Sequence, residues 1–175
     1  MPNVITLCTG NAARSVMAGA ILGERVPGLD VSTRGTAVIE GLVMSWRTRA
    51  ALEGLGLKAD HLRSCLLTSD DLAGADLVIA MAVEHVEYVR RVEPGAAART
   101  GTLKRLARDL PGGSGELRQR VAALGLDAVE LAQWEDIEDP VSGDVEQFHR
   151  CASEIDALLT ALVPLLTVEP TEARG

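Results

Sequence analysis

Residues 4–15 constrain the fold before any other segment does. The apolar run Val4-Ile5-Thr6-Leu7 is a short buried-strand signal, and from Ser15 to Arg25 the residues Met17, Ile21 and Leu22 recur at helical spacing. The stretch Cys8-Thr9-Gly10-Asn11-Ala12-Ala13-Arg14 must therefore turn a strand directly into a helix. Gly10 and Asn11 are residue types that accept left-handed backbone angles, which such a turn needs. A loop of this kind can aim successive backbone N–H groups into one concavity, and the dipole of the following helix adds partial positive charge. Together these suit a phosphate-like dianion. The same field favours thiolate over thiol at Cys8, and Arg14 can grip two oxyanion oxygens at once. Ser15 is placed either to donate a hydrogen bond to a thiolate or to cap the helix.

Two further strand signals follow, at Leu29–Thr33 and Ala75–Ala80. Helical patterns occupy Ser45–Leu55, Val83–Val92, Leu103–Leu110, Glu116 towards Leu126, and Val145–Val163. Asp71 is spaced from Thr68 for a capping box on a short turn. Strands separated by helices require crossover connections, so the expected fold is α/β, a mostly parallel sheet with helices on both faces. The 175 residues suit one domain, read here as 1–168 with a flexible tail at 169–175. Aromatic residues make up only 2% of the chain, so its core is built from Ala, Val, Leu and Ile. On the last helix, Phe148, Cys151, Ile155, Leu158 or Leu159, and Leu162 form one stripe, which makes Cys151 a packing residue.

A formal charge of −8 argues against a nucleic acid or an anionic membrane as partner, so any anion site must be local. The apolar stretch 155–168 is interrupted by Asp156 and Pro164 and is too short to span a bilayer. With no signal-like N-terminus, the expected location is cytoplasmic. Three cysteines, Cys8, Cys65 and Cys151, show neither disulfide nor zinc spacing. His61, His85 and His149 are not at metal spacing and read as surface or helix-bracing residues, and Arg90-Arg91 reads as a solvated helix end. No metal or other cofactor is expected, because Arg14 and the loop amides already supply a positive field.

The second informative stretch is Trp134-Glu135-Asp136-Ile137-Glu138-Asp139-Pro140. Pro140 forbids helix and biases Asp139 towards extended backbone, so its carboxylate is presented from a stiff loop. Four carboxylates within five residues, next to a bound dianion, would favour the protonated form of one of them, as a general acid requires.

With both stretches in view, the chain resembles the low-molecular-weight protein-tyrosine phosphatases, a family that also includes cysteine-based arsenate reductases. The resemblance runs through Cys8 to Ser15 with Met17-Ala18, Gly35-Thr36, Arg47 to Leu57, His61 with Arg63, Leu67-Thr68, Asp71-Leu72, the strand ending at Met81, and Asp139-Pro140. It implies a four-stranded parallel sheet with the phosphate-binding loop after strand one. It also implies Cys8 as a nucleophile that becomes phosphocysteine, Arg14 as transition-state clamp and Asp139 as general acid. Thr9, Gly10, Asn11, Ala12, Ala13 and Ser15 would bind the phosphate, with Asn11 bracing the loop and Ser15 helping the thiolate leave. The implied substrate is a phosphorylated protein, phosphotyrosine in particular, or a small phosphomonoester.

The chain also departs from that pattern. Ala13 stands where a second cysteine often precedes the arginine, so no protective disulfide can form there. Val16 replaces a common proline. Val141-Ser142 and Ala37-Val38-Ile39-Glu40 replace aromatic residues that wall a phenol slot, which leaves an aliphatic wall or one built from Trp46 or Trp134. Two other readings stand beside the phosphatase: an arsenate reductase using a small thiol, and a non-catalytic anion-binding or interaction protein.

Overall fold

In the computed structural model, which describes residues 1–167, the fold grows from the strand-to-helix turn. Strands β1 (Asn3–Cys8), β2 (Asp30–Gly35), β3 (Leu77–Ala80) and β4 (Thr100–Thr102) form one parallel sheet in the order β2-β1-β3-β4. Helices α1 (Arg14–Arg25), α2 (Trp46–Gly54), α3 (Ser69–Gly74), α4 (Val83–Val92), α5 (Leu103–Asp109), α6 (Leu117–Ala122) and α7 (Val145–Leu166) make the connections and cover the sheet. From β1 the chain winds to β2 on one side, then crosses back to β3 on the other. A crevice therefore opens at the carboxyl ends of β1 and β3, where parallel sheets of this class bind ligands.

Period-two alternation divides the core between the faces of the sheet. Val4, Cys8, Leu77 and Ile79 pack with the apolar stripes of α1, α2 and α7, whereas Ile5, Leu7 and Val78 pack with Leu72 of α3 and Val89 of α4. Helices thus lie on both faces, as expected. At Gly19 an added Cβ would lie 2.3 Å from Thr33 Cγ2, so glycine is what lets α1 approach β2 this closely. The capping box of α3 is present: Thr68 Oγ1 accepts from Asp71 N, and Asp71 accepts from Thr68 N.

The structure revises three readings. Strand β4, Thr100-Gly101-Thr102, carries no apolar run and gave no signal in the sequence. Helix α7 continues through Pro164 to Leu166, because Leu166 is buried and anchors the last turn while the Thr160 carbonyl that loses its donor lies on an exposed residue. Arg90 is not simply solvated: its Nη2 donates to the carbonyls of Leu126 and Val129, tying α4 to the loop after α6. The tail expected at 169–175 lies outside the described residues, as does Val168 at the end of the domain. Among the described residues no helix is long and apolar enough to cross a membrane.

Past β4, Thr102 caps α5 and also donates through Oγ1 to Glu135 Oε2 at 2.8 Å. Glu135 is fully buried and accepts Arg105 Nε at 2.9 Å and Ala132 N at 3.1 Å. Burial alone would raise its pKa, but the hydrogen bonds from Arg105, Thr102 and Ala132 outweigh it and hold the carboxyl below its ordinary value of 4.5. A depressed carboxyl stabilises the fold above the unfolded-state pKa, and that stabilisation is lost as pH falls through the folded value. Glu135→Ala, which leaves Arg105 largely buried without its partner, is expected to cost about 3 kcal/mol. Thermal unfolding should show the wild type losing stability on acidification below about pH 4.5, and the variant should lack that part of the pH dependence.

Candidate active site

The carbonyls of the loop between β1 and α1 are tied outward. Cys8 O accepts from Thr36 N at 3.0 Å, Thr9 O from Ala37 N at 3.0 Å, Ala12 O from Thr48 Oγ1 at 2.8 Å and Ala13 O from Met17 N at 2.8 Å. Peptide geometry then turns the opposite edges of these units inward, and among the described residues the N–H groups of Gly10 to Ala13 donate to no protein acceptor. No side chain caps α1 either, so its first N–H groups are also left for an outside acceptor. Inward N–H groups at a helix N-terminus make a seat for an anion.

Asn11 makes the tight turn, with φ of +48°, and is buried. Its Nδ2 donates to Ser15 Oγ at 2.9 Å, and its Oδ1 accepts Cys65 N at 2.8 Å. Because Ser15 Oγ already accepts from Asn11, its own proton is free for Cys8 Sγ at 3.0 Å. Of the two roles open to Ser15, the geometry therefore favours the thiol over the helix cap. Gly35 closes the seat from outside: an added Cβ would lie 2.5 Å from Thr9 O and 2.9 Å from Asn11 N.

Arg14, 4% exposed, donates through Nη1 to Ile137 O at 3.0 Å and through Nη2 to Asp139 Oδ2 at 2.7 Å. That contact spans 125 residues of sequence. Asp139 Oδ1 also accepts Val141 N at 3.1 Å, as befits a carboxylate on a stiff Asp-Pro turn. The acidic stretch does not act as one repulsive cluster, contrary to the sequence expectation. Glu135 is held by Arg105, Asp136 Oδ1 accepts Val83 N at 2.8 Å at the start of α4, and Asp139 reaches Arg14. Glu135 ends a 3-10 turn, Gln133–Glu135, and the chain is extended only beyond it, so the carboxylates leave in different directions.

The tryptophans do not wall the site. A cavity over the loop is lined by Gly10, Asn11, Ala12, Ala37, Ile39, Leu42, Val43, Ser45 and Ser64, without an aromatic ring. Trp134 instead lies under the guanidinium of Arg108, 4.3 Å from its ring centre, and Trp46 is 66% exposed. Cys151 is buried on the stripe of α7, where burial pushes its thiol pKa up to about 12. Cys65 is half-buried and serves the loop through its backbone, and all three cysteines are free. Among the described residues no group of three or more His, Cys, Asp or Glu could hold a metal ion.

Sequence reasoning missed His85. It is neither a surface residue nor merely a helix brace: it is 1% exposed and its Nε2 lies 3.0 Å from Thr9 Oγ1. The available signal was positional, since His85 stands in the first turn of the helix that leaves β3, beside the crevice that the strand order creates.

A cysteine at the base of an anion seat, with an arginine entering the helix and a carboxylate brought in from a distant Asp-Pro turn, makes a phosphatase-type anion site on a parallel α/β sheet. Comparison with known proteins agrees, since the family described as "Low molecular weight phosphotyrosine protein phosphatase" matches residues 3–118. The chain belongs to that family. A protein-arginine-phosphatase of Geobacillus stearothermophilus is 28% identical over 167 residues, covering 95% of this chain and 97% of that protein. The low molecular weight protein-tyrosine-phosphatase Etp of Escherichia coli K12 is 30% identical over 103 residues, 56% of this chain and 66% of that protein. Among solved structures, the YwlE arginine phosphatase of G. stearothermophilus superposes with a TM-score of 0.75 at 27% identity, covering 93% of this chain and 90% of that one. A low molecular weight protein tyrosine phosphatase from T. tengcongensis gives 0.74 at 26% identity, covering 93% and 98%.

Gly35→Ala is expected to force the loop backbone outward and lower kcat/KM for a small aryl phosphate at least tenfold, roughly the loss seen when a supporting contact of a reactive centre is removed. Steady-state kinetics beside a thermal melt checks this. Unchanged kcat/KM would mean that the seat does not depend on the close approach of β2.

Proposed function

We propose that the protein hydrolyses phosphate from protein side chains through a phosphocysteine formed on Cys8. The observation that carries this reading is the outward tethering of the loop carbonyls, which leaves inward N–H groups around the thiol. In the first step the Cys8 thiolate attacks phosphorus, forming the S–P bond while the bond to the leaving group breaks and Asp139 gives that group a proton. Arg14 exchanges Asp139 for two equatorial phosphoryl oxygens, which it holds most tightly in the transition state. In the second step the Asp139 carboxylate takes a proton from water. That water attacks phosphorus, the S–P bond breaks, and inorganic phosphate leaves while the Ser15 hydroxyl stabilises the returning thiolate. Asp139 is preferred to Asp136 as the acid because Asp139 Oδ2 reaches Arg14, whereas Asp136 Oδ1 is held by the Val83 amide at the start of α4.

Phosphotyrosine is one reading of the substrate. Phosphoarginine is a second, and the aliphatic wall of Ala37, Ile39, Leu42 and Val43 favours it, because among the described residues no ring lines the cavity to stack on a phenol. The similarity to an arginine phosphatase along nearly the whole chain supports it as well. Release of phosphate from matched phosphotyrosine and phosphoarginine peptides decides between them, and thiol-dependent reduction of arsenate without turnover of p-nitrophenyl phosphate would overturn both.

Asp139→Asn is expected to slow phenyl phosphate far more than p-nitrophenyl phosphate, because only the poorer leaving group needs the proton. The same variant should bind inorganic phosphate several-fold more tightly, since it removes an anion that competes for Arg14. Asp136→Asn should do neither. Arg14→Lys should lose at least about a hundredfold in kcat, because an ammonium cannot reproduce the planar two-point grip. Rates against both esters, with phosphate as inhibitor, test the set.

A further inference from the structure

The crevice between β1 and β3 is bridged from Thr9, whose Oγ1 lies 3.0 Å from His85 Nε2. Thr9 follows the thiol residue, and His85 stands in the first turn of α4. The ring is 1% exposed and its Nδ1 has no hydrogen-bond partner among the described residues. Thr9 Oγ1 also lies within 3.4 Å of Glu84 Oε1, to which it can only donate, because an ionised carboxylate only accepts. The hydroxyl is then left to accept from His85, which puts the ring proton on Nε2. With that tautomer the buried, partnerless Nδ1 is a lone pair and not an N–H, the less costly of the two arrangements. The ring is held neutral by burial and by the charge of Arg14, which move its pKa down to about 3. Arg14 and the exposed Glu84 are the charged groups facing it from α1 and α4.

We propose that His85 is a positioning residue for the reaction: its neutral imidazole fixes the Thr9 hydroxyl across the crevice and so sets where the loop amides point. The inference rests on the phosphatase reading of the site. Asn11 secures the middle of the loop from the β2 side, through the Cys65 amide and Ser15. His85 secures its start from the β3 side, so the two clamps hold one short turn from opposite sides. Histidine suits this position because it donates while neutral, whereas an ammonium or guanidinium would place a second buried cation beside Arg14. Its lever is geometric, since amides displaced from the phosphoryl oxygens lose transition-state stabilisation before they lose substrate affinity.

The test uses His85→Phe, His85→Gln, Thr9→Val and the Phe/Val double variant, each measured for kcat, KM and inhibition by inorganic phosphate. His85→Phe and Thr9→Val should each lower kcat for p-nitrophenyl phosphate roughly tenfold with a smaller change in KM. The double variant should be no worse than either single one, and Gln, which can donate at similar reach, should recover most of the loss. In a 15N spectrum of the histidines, His85 should remain a neutral Nε2–H ring from about pH 5 to about pH 8. Additive losses, Gln no better than Phe, or a charged or Nδ1–H ring would overturn the proposal. Should His85→Phe fail to fold, Thr9→Val carries the test, and unchanged kcat and phosphate inhibition then count against it. Should the wild type turn over neither aryl phosphate nor a phosphoarginine peptide, the phosphatase reading fails by itself. Titration of the same variants with inorganic phosphate then decides the positioning role: weaker binding in Thr9→Val sustains it and equal binding removes it.

Discussion

One carboxamide holds the site together. Asn11 is forced into a left-handed backbone by the sharpness of the turn, and its buried side chain then meets Ser15, the Cys65 amide and the neighbourhood of Thr33. A buried amide left without partners would cost about 1–3 kcal/mol, so these contacts are obligatory and not ornamental. They orient Ser15 towards sulfur, and they fasten the β1–α1 loop to the segment after α2. Alanine at this position would lose the backbone preference and the three-way junction together, and the thiol would lose its donor as a consequence.

A second constraint works by exclusion. Gly35 ends β2 where a methyl group would strike the loop carbonyl of Thr9, and Gly19 lets α1 settle against Thr33. Both glycines lie on β2 or against it, the edge strand that flanks the thiol. The carbonyls that need partners find them in Thr36, Ala37 and Thr48, immediately beyond that strand and in α2. The loop is therefore shaped from outside, with its interior left to the ligand.

Much of this was legible in the chain, and what escaped did so for identifiable reasons. Strands β1 and β3 announce themselves because both faces are buried and the runs are continuously apolar, and the Cys8 to Ser15 motif is contiguous. Strand β4 is three residues of Thr-Gly-Thr, held by its neighbour β3 and not by its own hydrophobicity. The dispersal of Glu135, Asp136 and Asp139 to separate partners could not be read, because spacing gives proximity along the chain but not the direction each carboxylate takes. His85 and Arg90 were invisible for the related reason that their partners, Thr9 and the carbonyls of Leu126 and Val129, lie far away in sequence.

The distance along the chain between Arg14 and Asp139 has a consequence for how activity arises during folding. The anion seat is a local object, closed by contacts within a short stretch and completed once β2 and α2 have docked. The carboxylate arrives 125 residues later, on the loop that precedes α7, and α7 must pack onto α1 and α2 for that loop to find its place. Contacts of such long sequence separation form late, because chain entropy must be overcome before they contribute. A nascent or partly folded chain would thus hold the amide seat before Asp139 reaches Arg14. The amide seat is thus a product of the first half of the chain, whereas the setting of the Arg14 guanidinium, through Ile137 and Asp139, reports on the whole domain.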